Sequence, residues 1–151
     1  MLSQDVENQI HSTAMALADE ARRVILPLFR GHALSTENKL SDGFDPVTIA
    51  DRGAEKAMRS VLSDLRPDDA VLGEEYGASS GSSGLTWVLD PIDGTRGFIT
   101  GTPTWGVLIA LSDDTGPLFG VIDQPFIGER FIGGFGVSQY KGPLGNTGLT
   151  T

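Results

Sequence analysis

The sequence predicts an α+β fold in which two N-terminal helices pack on a largely antiparallel sheet. Apolar residues recur at steps of three and four over residues 5–30 and again over about 49–65. After residue 70 the period changes, and short apolar runs are separated by turn residues. Two helices followed by a meander of strands suit a layered α+β arrangement.

In the first helix, Ile10, Ala14, Leu17, Ala21, Val24 and Leu28 form the expected buried stripe. Pro27 should kink its last turn and Gly31 stop it. Residues 31–46 are polar, with Asp42-Gly43 and Asp45-Pro46, and read as a loop. The second helix should bury Ala54, Ala57, Met58, Val61, Leu62 and Leu65, and Arg66-Pro67-Asp68-Asp69 ends it. Strands are expected at 70–73, 86–90, 104–111, 117–123 and 129–133. The Gly/Ser run 77–84 reads as a flexible surface loop, and Asp113-Asp114-Thr115-Gly116 as a hairpin turn. Residues 136–151 are glycine-rich without periodicity and are expected to be irregular. Such a meander needs a covered second face and protected edges, yet no closing helix follows. Residues 1–151 therefore read as the N-terminal portion of a longer domain, with an open sheet face that favours self-association as a homodimer.

The net charge of −9 argues against nonspecific binding to nucleic acid or an anionic membrane, but not against an anionic substrate held through a metal. No cysteine is present, which excludes disulfides and thiolate metal sites and fits a cytoplasmic setting. The clearest apolar run, 105–111, is far too short to span a bilayer.

Chemistry concentrates in residues 87–97, Trp-Val-Leu-Asp-Pro-Ile-Asp-Gly-Thr-Arg-Gly. Asp90 and Asp93 at a strand end offer hard oxygen ligands of the kind Mg²⁺ prefers, and Pro91 restricts how far they diverge. Gly94 permits close backbone approach, so the N–H groups there could hold a phosphate. Metal and phosphate grips side by side are what metal-assisted phosphate ester hydrolysis needs. An ordinary Asx turn would also use Asp and Gly here. Glu74, after the first strand, could complete the metal site; the other reading makes Glu74 and Glu75 solvated loop carboxylates. Asp51 either closes a capping box with Thr48 or orients a hydroxyl such as that of Thr95. Arg96 either contacts an anionic substrate or pairs with a surface acid. His11 and His32 read as solvated, and Trp87 and Trp105 as core. There is neither a nucleophile elbow nor a P-loop.

Taken together, Asp45-Pro46-Val47-Thr48-Ile49-Ala50-Asp51, Gly73-Glu74-Glu75 and Trp87 to Thr95 resemble, in order and spacing, the inositol monophosphatase family of lithium-sensitive, Mg²⁺-dependent phosphatases. The resemblance runs to about Gly136 and implies the N-terminal half of that family's layered sandwich. It implies that Glu74, Asp90 and the Ile92 carbonyl hold a first Mg²⁺, and that Asp90 bridges to a second at Asp93, with two or three ions in a complete site. It makes Asp51, Thr95 and Glu74 the catalytic residues, Thr95 paired with Asp51 activating water. Gly94, Thr95 and Arg96 would bind the phosphate ester. The run Arg96-Gly97-Phe98-Ile99 and the Pro103-x-Trp105-Gly106 pattern resemble the histidinol-phosphate phosphatase branch, which acts in histidine biosynthesis. The alternatives are an inositol or other sugar-phosphate phosphatase and, in another class, a non-catalytic metal-binding or interaction domain. The family's further metal-binding aspartate, in a Trp-Asp-x-Ala-Ala-Gly-like motif, has no counterpart after residue 95. The 151 residues alone are therefore expected to form an incomplete site.

Overall fold

The computed structural model describes residues 2–31 and 46–150; His32, Asp42-Gly43 and Asp45 lie outside the described residues. Helix α1 spans Gln4–Ile25. The Ser3 hydroxyl accepts the Val6 N–H, acids occupy the first turn and Arg22 and Arg23 the last, as the helix dipole favours. Pro27 cannot donate to the α ladder, and the chain tightens into a 3₁₀ turn at Leu26–Leu28. Ile10, Ala14, Leu17 and Ala21 are buried as expected, joined by Ala18 and Ile25, while Val24 and Leu28 are half-buried.

Helix α2 spans Pro46–Leu65, three residues longer at its start than the expected 49–65. Proline suits a first helical position because the N–H it lacks would have no intrahelical acceptor. Thr48 is therefore inside the first turn, not at the N-cap, so the capping-box reading of Asp51 does not hold. The two helices pack against each other, and small residues of both, Ala14, Ala18, Ala21, Ala50 and Ala54, are fully buried in the core. Leu65, expected on the buried face, is exposed.

The sheet has eight strands: β1 Ala70–Gly73, β2 Gly77–Ser79, β3 Thr86–Asp93, β4 Gly106–Asp113, β5 Gly116–Gln124, β6 Glu129–Gly134, β7 Val137–Gly142 and β8 Gly145–Gly148. A short helix α3, Thr95–Thr100, follows β3. The strand order is β2-β1-β3-β4-β5-β6-β7-β8, antiparallel except for the parallel β1–β3 pair. Helices α1 and α2 cover one face, where Trp87, Leu89, Val107, Ile109, Leu111, Phe119, Val121 and Ile132 meet them. Alternate residues face the other way. Val88, Leu108, Ala110, Ile122 and Phe131, with Leu149 from the tail, line an open apolar groove of about 620 Å³.

Two segments differ from expectation. The tail 136–151 is not irregular: it supplies β7 and β8. Its glycines mark turns; Phe135 and Gly136 both take positive φ in the two-residue β6–β7 turn, the geometry such hairpins favour. The strands are largely exposed, so no apolar alternation betrayed them. The 77–84 run is not a free loop either. Gly77–Ser79 pairs with β1, and the Ser82 and Ser83 N–H groups donate to the Asp68 carbonyl. The Asp113 side chain does cap its hairpin turn, accepting from the Thr115 N–H (2.8 Å).

Candidate active site

The parallel register of β1 and β3 builds the first half of the site. Leu72 lies beside Val88 and Gly73 beside Leu89, and the Glu74 N–H continues the ladder by donating to the Leu89 carbonyl (3.3 Å). With a side-chain period of two, Glu74 and Asp90 follow Leu72 and Val88 onto the same open face. A bulge adds the third acid. Asp90 opposes Leu108 and Asp93 opposes Gly106, so three steps on β3 span two on β4. Without the extra residue, Asp93 would face opposite to Asp90; with it, both face the groove side.

Asp90 is the electrostatic centre. Its carboxyl pKa is pushed up to about 6, first by burial, then by the charge of Glu74, a hydrogen bond shared with Glu74, and the charge of Asp93. Its Oδ1 is buried and has no hydrogen-bond partner. A half-buried acid with an unpartnered buried oxygen and two like-charged neighbours fits a divalent cation with hard oxygen ligands. Among the described residues, no three His, Cys, Asp or Glu side chains stand close enough to hold an ion as placed. Glu74 and Asp93 are both exposed, whereas Asp90 is half-buried.

The phosphate side begins where β3 ends. Gly94 takes φ 86°, and a Cβ there would lie 2.6 Å from the Thr104 carbonyl oxygen, so the position requires glycine. The turn leads directly into α3, whose first residue, Thr95, donates its hydroxyl to the Ile92 carbonyl (3.3 Å). Phe98 anchors α3 among Phe29 and Trp105, and Arg30 Nε donates to the Gly101 carbonyl at its far end (2.7 Å). Arg96 is exposed on α3. Asp51 is buried on α2, which packs against α3.

Sequence reasoning missed the groups that support these residues. Glu55, on α2, is fully buried; it accepts the Glu75 N–H (2.7 Å), the Tyr76 N–H (3.2 Å) and Arg59 Nε (2.8 Å). Its signal was present: Asp51, Glu55 and Arg59 form a polar stripe at steps of four beside the apolar face of α2. Asp69 was read only as a helix terminator, yet it is buried and accepts from Arg66, Ser83 and the Trp87 indole (2.9 Å). His11 is remote from the acids and packs edge-on against Phe119; burial, then Lys141, lowers its pKa.

Comparison with known proteins decides the family. The profile of the inositol monophosphatase family matches residues 7–142. The chain belongs to the inositol monophosphatase family. Among relatives of this family, the bifunctional phosphatase IMPL2 of Arabidopsis thaliana is 47% identical over 120 residues, 78% of this chain and 34% of its own. The histidinol-phosphatase of Mycobacterium tuberculosis is 42% identical over 118 residues, 78% of this chain and 45% of its own. The solved inositol monophosphatase of Zymomonas mobilis superposes with a TM-score of 0.74 at 41% identity, over 93% of this chain and 53% of that one. The chain thus spans about half, or less, of the length of these family members. The helices on a mostly antiparallel sheet are the shared architecture. No described helix is long and apolar enough to cross a membrane.

Proposed function

We propose that this chain is the N-terminal portion of a Mg²⁺-dependent phosphomonoester hydrolase, cytoplasmic, acting on histidinol phosphate. The observation that carries the reading is Asp90: half-buried, raised in pKa, with one buried oxygen unpartnered, on one face with Glu74 and Asp93 and four residues before Gly94. The carboxylates of Glu74, Asp90 and Asp93 and the Ile92 carbonyl would hold Mg²⁺. Bound there, Mg²⁺ would supply positive charge that stabilises both the attacking and the leaving oxygen at phosphorus. The Gly94 and Thr95 N–H groups hold the phosphate and Arg96 meets the anionic ester. Thr95, released from the Ile92 carbonyl, accepts a proton of the attacking water while its own hydroxyl proton passes to the Asp51 carboxylate.

Histidinol-phosphatases of three organisms, each matched over 78% of this chain, support the substrate, as does the run after Thr95. Inositol monophosphate is the second reading, favoured by the Zymomonas mobilis structure and by the Mycobacterium leprae inositol-1-monophosphatase, 39% identical over 90 residues. Asp90 also lines the apolar groove, so whatever covers that face walls the site. The family length that this chain does not span would cover it; a homodimer is the competing cover, which sedimentation equilibrium in the analytical ultracentrifuge distinguishes. The deciding experiment is phosphate release with Mg²⁺ from histidinol phosphate and inositol monophosphate, by this chain and by a family-length version. Release by the longer protein with histidinol phosphate preferred is the expected result. Preference for inositol monophosphate selects the second reading, and no release by either leaves the metal-binding or interaction domain.

A further inference from the structure

Resting on the metal-site reading above, we propose that Glu55 is a positioning residue that fixes Glu74 opposite Asp90 and so sets the affinity of the site for a divalent cation. Glu55 touches none of the proposed ligand oxygens; it acts through the backbone that carries Glu74. That backbone is held on both sides: the Glu74 N–H donates to the Leu89 carbonyl, and the next two N–H groups, Glu75 and Tyr76, donate to the two oxygens of Glu55. The preceding residue closes the arrangement. A Cβ at Gly73 would lie 1.9 Å from Glu55 Oε1, so β1 lies directly on the carboxylate and only glycine permits it. Arg59 neutralises Glu55 through Nε and also donates to the Gly77 carbonyl, which clamps the far end of the same turn.

The chemistry of this support is specific. A carboxylate alone among the side chains accepts two adjacent amides and a guanidinium at once without offering a donor of its own. An ion pair with one partner fully buried, as Glu55 is here against the half-buried Arg59, is weak as a source of stability, because desolvation offsets most of its Coulombic gain. Its place in this molecule, under the one turn that bears Glu74, gives it a positional role. Groups that orient metal ligands typically alter affinity by about 10–100-fold when changed.

The test uses the 151-residue chain and Mn²⁺ as the probe, with binding followed by calorimetry well below the thermal transition. Glu55→Gln keeps the shape but turns an amide NH₂ toward backbone donors. Mn²⁺ binding should weaken by about 10–100-fold, and amide exchange at Glu75 and Tyr76 should accelerate, with cooperative unfolding retained. A merely structural role would lower the melting temperature and leave the dissociation constant unchanged, and that result overturns the proposal. If Glu55→Gln does not fold, Arg59→Met decides: weaker Mn²⁺ binding supports the proposal and wild-type binding overturns it. A wild-type chain that fails to bind Mn²⁺ sinks the metal-site reading and this inference together. Wild-type binding that neither variant alters sinks the inference alone.

Discussion

Asp69 and Asp90 flank the same parallel strand pair and have opposite surroundings. Asp69, just before β1, is 6% exposed, and both its oxygens are used: Arg66 grips it with two nitrogens, and Ser83 and Trp87 complete it. Burial alone would raise its pKa, but these donors outweigh burial and hold it below the usual range. Asp90 has burial and two neighbouring acids instead, and its pKa rises. Asp123, on β5, repeats the Asp69 pattern on the helix-covered face, where it is fully buried between Arg22 and Arg130. An acid whose charge is answered from within the chain ties elements together. One whose charge is reinforced by its neighbours is held at a cost that a proton or a bound cation relieves.

The contrast breaks most sharply at Asp90→Asn. In a family-length protein, phosphate release should fall by about 1000-fold or more, since the charge stabilisation at stake is several kcal/mol. Steady-state assays with Mg²⁺ measure it, and wild-type turnover would remove Asp90 from the ligand set. Asp123→Ala should do the reverse, lowering stability by about 3–5 kcal/mol because Arg130 is left buried without its main partner. Urea unfolding reads that loss. Trp87→Phe, which removes one donor from Asp69 while preserving the ring, should lower stability by about 1–2 kcal/mol.

The smallest effect separates the two acids by sign. Asp69 is depressed, so its contribution is present above the ordinary carboxylate pKa and fades as pH falls through its lower folded value. Asp90 is raised to about 6, so the folded state binds the extra proton between the ordinary value of 3.8 and 6, and stability is lost as pH rises through that window. Metal-free Asp90→Asn should therefore melt higher than wild type at pH 7, with the gap closing toward pH 4. Thermal melts in chelator across that range test it; a gap that widens at low pH contradicts the assignment.

Much of this was legible before any coordinates. The helices announced themselves by period, and Asp90, Asp93 and Gly94 by their crowding of constrained residues. The site also needed facts that are non-local. Glu74 meets Asp90 only because β1 and β3 run parallel, whereas the strand runs alone suggested a plain meander. Asp69 read only as part of a helix terminator and Glu55 was not singled out, because the partners that give them their roles, Ser83, Trp87, Glu75 and Tyr76, lie 14 to 21 residues away in sequence. The tail hairpin was missed because an exposed strand carries no buried alternation to read.

The bulge between Asp90 and Asp93 has a consequence for how this segment can change over time. Because the extra residue alone returns Asp93 to the face of Asp90, the spacing of the two acids is set by odd or even count, not by reach. Pro91 and Ile92 could exchange for other residues and leave that count intact. A single inserted or deleted residue would turn Asp93 toward the helices, so the segment behaves as a reading frame written in backbone, intolerant of slippage.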